Sequence, residues 1–147
     1  MQPSENCIKL VKRSEGDVLK AYPDPGTGGA PWTIGYGHTG PEVHPGMVIT
    51  QPEAEMLLGQ DLQRVGQQVA KSVKVELTQN EFDALVCFVF NEGIGNFMKS
   101  SMLRLLNAGD YAAAANEFDK WTKAAGHVLP GLVARRHDEK DLFNDMA

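Results

Sequence analysis

The stretch KAYPDPGTGGAPWTIGYGHTGPEVHPG, residues 20–46, decides the fold class. It holds five of the eight prolines and seven of the 15 glycines, residues that interrupt helices and favour turns. Within it, Trp32-Thr33-Ile34-Gly35-Tyr36-Gly37 alternates as a strand does, and Pro25-Gly26-Thr27-Gly28-Gly29 is a turn signal. A small β-hairpin region is therefore expected near the N-terminus.

On either side the signals are helical. Ile8 and Val11 follow Ser4, a possible N-cap, and this first helix is expected to end near Glu15, with Gly16 in the position after the cap. Thr50-Gln51-Pro52-Glu53 and Thr78-Gln79-Asn80-Glu81 both read as capping boxes. Behind the first, Leu58, Leu62, Val65, Val69 and Val73 recur at three to four residues; behind the second, Phe82, Leu85, Val86, Val89 and Phe90 trace a buried face. Met102, Leu105 and Leu106 suggest a short helix stopped by Gly109. Asp110 caps a predicted helix from Tyr111 to Ala125, stopped by Gly126, and Leu132 to Phe143 forms the last. The expected class is α+β: one domain over residues 1–147, with a β lobe over about 16–48 and a helical lobe made of the first helix and about 51–147, joined by a long helix.

A chain of 147 residues buries roughly two-thirds of its unfolded surface, enough to be stable without disulfides or metals. Its net charge of −5 argues against nonspecific binding to nucleic acid or to an anionic membrane surface. Cys7 and Cys87 lie in apolar contexts that favour buried free thiols over a disulfide, and their spacing fits no zinc site. The N-terminal residues lack the apolar core of a secretory signal, and the longest apolar run, Ala84–Phe90, is far short of a membrane span. No cofactor is expected, no stable membrane association, and a monomer.

Two carboxyl residues stand out. Glu15 sits at a predicted helix end, whose partial negative charge disfavours an ionised carboxylate, as suits a general acid. Asp24, between Pro23 and Pro25, lies in a better solvated turn where a carboxylate stays ionised. Carboxyls pushed apart in this way are the pattern of glycoside hydrolysis. Taken alone the pair is unspecific.

Its context is not. Ser14-Glu15-Gly16, Leu19-Lys20-Ala21-Tyr22-Pro23-Asp24 and Trp32-Thr33-Ile34-Gly35-Tyr36-Gly37-His38 together resemble the phage-type lysozyme family, glycoside hydrolase family 24. Gly46–Thr50 leading into Glu53 and Gln60-Asp61 is similar to the family's bridging helix. Phe90-Asn91-Glu92-Gly93, Leu103–Asn107 and Arg135-Arg136 with Leu142-Phe143 resemble its later helices, so the likeness covers most of the chain in order.

The resemblance implies a lysozyme-like fold and an inverting muramidase acting on the β-1,4 bond between N-acetylmuramic acid and N-acetylglucosamine. Glu15 would be the acid, with Asp24 and Thr33 positioning water. The eight residues between Asp24 and Thr33 depart from the tighter connection known in the family and put the placement of Thr33 in question. His38 is expected to be structural, paired with Asp61 of the long helix. Arg135 and Arg136 read either as a solvated face or as support for Glu15; Phe90, Asn91 and Ser101 line the saccharide cleft or, for Phe90, the core. The partner implied is the glycan strands of peptidoglycan. A lytic transglycosylase needs the acid but no water-holding Asp, and a noncatalytic binding domain needs neither. The resemblance further implies an endolysin held in the host cytoplasm until a holin opens the membrane.

Overall fold

A computed structural model describes residues 1–25 and 27–146. Gly26, one residue of the expected turn, and Ala147 lie outside them. The chain divides into two compact units, one over Val11–Leu62 and one formed by residues 1–10 with residues from Gln63 onward. Helix α1 (Glu5–Glu15) and the long helix α2 (Gln51–Ser72) each contribute residues to both.

In the first unit, β1 (Val18–Tyr22), β2 (Thr33–Gly35) and β3 (His38–Thr39) form an antiparallel sheet in sequence order. Val18 pairs with Gly35 and Tyr22 with Thr33, with a register shift between the two pairs. Met47–Ile49 runs along β1 as well: Ala21 N–H donates to Met47 O at 2.9 Å, and Ile49 N–H to Leu19 O at 2.9 Å. Ala21, Ile34, Val43, Ile49, Ala54 and Leu58 close the apolar interior. Glycine is favoured at 35 by the backbone, whose φ is +64°; a methyl there would make ordinary contact with the Ala54 Cβ and Ile49 Cδ1 at 3.5 Å. Helix α2 opens on the Thr50 box: Glu53 N–H donates to Thr50 Oγ1 at 3.3 Å, and Thr50 N–H to Glu53 Oε1 at 3.0 Å.

In the second unit, α3 (Gln79–Glu92) is the central element, followed by α4 (Ile94–Lys99), α5 (Ser101–Asn107), α6 (Tyr111–Glu117), the hairpin β4 (Lys123–Ala124) and β5 (His127–Val128), and α7 (Pro130–Asn144). Residues 81–89 are all buried. The Phe88 ring meets Phe97, Phe118 and Trp121 edge to face, with centroids 6.4, 5.5 and 5.4 Å away. Each buried Phe contributes on the order of 1.5–3 kcal/mol of apolar transfer. Ser4 ties α1 to this core, donating its amide to Asp83 Oδ1 at 2.9 Å and its hydroxyl to the same carboxylate.

The predicted helix from Tyr111 to Ala125 is a correction. It ends at Glu117, tightens into a single 3-10 turn over Phe118–Lys120, and gives way to the β4–β5 hairpin. Gly126 stops no helix: Ala125 at φ +52° and Gly126 at φ +81° form the two-residue hairpin turn. The cause is tertiary, since Arg136 Nε claims the Trp121 carbonyl at 2.8 Å and the Leu129 amide claims Thr122 O at 3.0 Å. The last helix starts two residues earlier than predicted, with Pro130 in its first turn. Among the described residues, no helix is long and apolar enough to cross a membrane.

Candidate active site

Glu15 is the last residue of α1, and Gly16 turns the chain away at φ +71°. The strand β1 that follows carries the chain to Tyr22, whose Cα partner across the sheet is Thr33. Asp24 lies two residues past Tyr22, so Asp24 and Thr33 leave the same end of the β1–β2 pair. Burial, and after it the negative charge of Glu15, hold the Tyr22 phenol above its ordinary pKa. The Glu15 carboxylate thus acts on the residue that faces Thr33. Glu15, Asp24 and Thr33 are all half-buried, a state that leaves them reachable while restricting their motion.

The Asp24 turn is built from its own backbone and carboxylate. Asp24 O accepts from Gly28 N–H at 2.8 Å and Thr27 N–H at 3.3 Å, Asp24 N–H donates to Gly29 O at 2.9 Å, and Thr27 N–H also reaches Asp24 Oδ2 at 3.1 Å. This is an Asx-type turn, in which the side chain fixes the backbone two to three residues on.

One contact is not legible from residue types. Gly37, at φ +73°, stands so close to Glu15 that a methyl built on it would lie 2.6 Å from Oε1, 3.0 Å from Cδ and 3.4 Å from Cγ. The backbone of Gly37 is therefore one wall of the Glu15 carboxyl. The only sequence signal for it is the Gly-Tyr-Gly spacing itself.

His38 has both ring nitrogens on carboxylates: Nδ1 lies 2.7 Å from Asp61 Oδ2 and Nε2 lies 2.6 Å from Glu42 Oε1. Burial disfavours the imidazolium, but its hydrogen bonds to Glu42 and Asp61 outweigh it and raise the His38 pKa. His38 in turn lowers that of Glu42. Glu42 was absent from the sequence reading, although its spacing of four from His38 was visible.

The remaining candidates belong to the helical unit. Arg136 is fully buried and donates to Glu139, to Asn91, to Glu92 at 3.0 Å and to Trp121 O, while its guanidinium lies 4.9 Å from the Phe88 centroid. Arg135 donates to Glu139 at 3.3 Å and to Cys87 O at 3.3 Å. Neither forms a solvated face. Burial holds Glu139 above the ordinary carboxylate range against the opposing pull of Arg136 and Arg135. Glu92 is half-buried on Arg136. Asn91 is exposed but fixed by Arg136, Phe90 is half-buried, and Ser101 is exposed at the start of α5. Cys7 and Cys87 are buried free thiols; burial, then the charges of Asp83 and Glu139, push Cys7 up to about 12, which keeps it unreactive.

Comparison with known proteins places this arrangement. Residues 12–139 match the phage lysozyme family. The chain is 49% identical over 144 residues to an endolysin of Bacillus phage PZA, a match that takes in 98% of this chain and 55% of that one. It thus spans about half the length of the Bacillus phage endolysins it matches. An endolysin of Salmonella phage P22 is 45% identical, with 97% of this chain and 98% of that one covered. The muramidase domain of SpmX from Asticcacaulis excentricus superposes with a TM-score of 0.89 at 39% identity over 98% of each chain. The chain belongs to the phage lysozyme family.

Proposed function

We propose that this chain is a muramidase that hydrolyses the β-1,4 bond between N-acetylmuramic acid and N-acetylglucosamine in peptidoglycan, with inversion at the anomeric carbon. The observation that carries the reading is the placement of Glu15: a half-buried acid at a helix end, walled by the Gly37 backbone and with its charge felt by Tyr22, the cross-strand partner of Thr33. Family membership and the endolysin names of its relatives support the same chemistry.

In this mechanism Glu15 gives its proton to the glycosidic oxygen as the bond from the anomeric carbon to that oxygen breaks. A water held by the Asp24 carboxylate and the Thr33 hydroxyl attacks the opposite face, and Asp24 takes the water's proton. The proton lost by Glu15 is regained from solvent. Phe90, Asn91 and Ser101 are assigned to saccharide contact, while Arg135 and Arg136 are engaged within the helical unit by Glu139, Cys87 O, Asn91, Glu92 and Trp121 O. His38 with Asp61 holds the β2–β3 turn to α2. The biological setting is lysis of a bacterial host, by a monomer held in the cytoplasm until a holin lets it reach the cell wall.

Purified protein and its Glu15→Gln variant, added to outer-membrane-permeabilised Gram-negative cells, test the reading. The wild type is expected to release muropeptides with reducing muramic acid ends, in the α configuration when caught early by NMR. The variant loses activity by about 10²–10⁴-fold, the usual contribution of a general acid. Ends in the 1,6-anhydro form would show a lytic transglycosylase, and full lysis by the variant would remove Glu15 from the mechanism.

A further inference from the structure

The Gly37 wall belongs to a larger arrangement that the catalytic reading does not use. Tyr36, buried in the β unit, precedes it and is tied in three directions. Its hydroxyl accepts from Gln51 Nε2 at 3.0 Å and helps to lower the pKa of Glu55, both residues on α2. Its ring lies 5.3 Å from Lys12 Nζ, and Lys12 itself pairs with Glu55. Lys12 is one turn before Glu15 on α1, so a cation over an aromatic face and an ion pair link the helix that bears the acid to the tyrosine that bears the turn. On the far side of Tyr36, Gly35 is packed on Ala54 and Ile49. The turn is held at both ends, and its middle cannot move without disturbing α1 or α2.

We propose that the Gly35-Tyr36-Gly37 turn is the positioning element of the Glu15 carboxyl: Tyr36 anchors the turn to both helices, and the bare backbone of Gly37 bears on the carboxyl and confines its rotamers. The inference rests on the assignment of Glu15 as the acid. Gly37 and Tyr36 are positioning residues and touch no substrate. Gly is needed at 37 for two separable reasons. Its positive φ is one that several other glycines share; among the described glycines with a positive φ, this is the one where a Cβ would stand against a carboxylate. Confinement of this kind lowers the barrier by fixing the acid in its productive geometry before substrate arrives.

The separation of the two reasons makes the test. Gly46, at φ +83°, has open space where its Cβ would stand and is exposed, so Gly46→Ala carries the backbone strain alone. Melting temperature, kcat, KM and the pH dependence of kcat would be measured on peptidoglycan fragments for Gly37→Ala, Gly46→Ala and the wild type. Both variants are expected to melt lower by similar amounts. Gly37→Ala alone loses kcat, by about 30-fold or more, with KM within twofold and the acid-dependent limb of the pH profile displaced, because the carboxyl has been pushed from its wall. In the Glu15→Asp background the same substitution is expected to cost far less, since the shorter acid no longer reaches the wall. A Gly37→Ala enzyme with the kcat and pH profile of Gly46→Ala would overturn the proposal. Should Gly37→Ala not fold, Tyr36→Phe decides: a fall in kcat of threefold or more at constant KM and melting temperature supports the anchor, and unchanged kcat overturns it. Failure of the muramidase reading is read separately, from an active Glu15→Gln enzyme.

Discussion

In the unit over Val11–Leu62, Glu15, Asp24 and His38 stand half-buried, and each is held by backbone turns and short polar links: Glu15 by Gly37, Asp24 by Thr27, His38 by Asp61 and Glu42. In the helical unit the comparable groups are sealed. Arg135, Arg136 and Glu139 are 6, 0 and 0% exposed beneath an aromatic cluster. A group that must meet a sugar and exchange protons with water has to remain reachable, so its geometry must come from the backbone behind it. A group that serves only the fold can be closed off, and then its partners decide everything, because an unpaired charge has no solvent to fall back on. Substitutions should therefore separate: those in the first unit change turnover more than stability, and those in the buried cluster do the reverse.

The largest effect on stability is expected from Arg136→Ala. It leaves Glu139 buried and removes the donors to Asn91, Glu92 and Trp121 O, which points to a loss of about 3–5 kcal/mol. Urea unfolding at pH 7 measures it. Combining Arg135→Met, Arg136→Met and Glu139→Leu should recover a large part of that loss, since no charge of the buried triad is then stranded. If the triple variant is as unstable as the single one, the cluster is not closed in the way its burial implies.

Much of this contrast could be read from the chain, and the exceptions have a common cause. The buried stripe of α2 and α3, both capping boxes and the turn at Gly16 follow from side-chain periodicity and from local hydrogen bonding, which are properties of neighbouring residues. Glu15, Asp24 and His38 stand out through the family resemblance, since the carboxyl pair taken alone is unspecific. What could not be read depends on partners distant in sequence. The helix expected through Ala125 fails because Arg136, 15 residues on, takes the Trp121 carbonyl. Glu92 is half-buried through a pairing with the same arginine, 44 residues away. Gly37 looked like turn glycine, and its closeness to Glu15 appears only when α1 and the β2–β3 turn are brought together. The arginine pair itself was ambiguous because nothing local in α7 distinguishes a sealed face from a wet one.

A smaller effect, with a definite pH signature, is expected from His38→Asn. The wild-type imidazolium sits between Asp61 and Glu42 and has a raised pKa, so its stabilisation is fully present below the ordinary value of 6.5 and is lost as pH rises through the raised one. Glu42 has a lowered pKa, so its share is present above the ordinary 4.5 and is lost as pH falls through the lowered value. The difference between wild type and variant should form a plateau between those two limits, of about 1–2 kcal/mol once the exposure of Glu42 is allowed for. Thermal unfolding from pH 4 to 9 would show it. A difference independent of pH would mean that the pairing contributes shape and no charge.

The finest comparison comes from one motif used in both units. Thr50-Gln51-Pro52-Glu53 opens α2 and Thr78-Gln79-Asn80-Glu81 opens α3, with the same reciprocal hydrogen bonds in each. The surroundings differ: Glu53 is exposed, whereas Glu81 is 7% exposed and lies in the buried run of α3. Water can replace the Thr50 hydroxyl when it is removed, but it reaches the Glu81 amide with difficulty. Thr78→Ala should therefore cost about 1–2 kcal/mol, the upper part of the range for lost caps, and Thr50→Ala clearly less. The Thr50→Ala loss should also shrink in acid. Hydrogen bonds from the Thr50 backbone and hydroxyl lower the Glu53 pKa, so the stability they supply is present above 4.5 and disappears as pH falls through the lowered value. Equal losses for the two variants at pH 7 would show that burial, the property separating the two units throughout, does not set the strength of a cap.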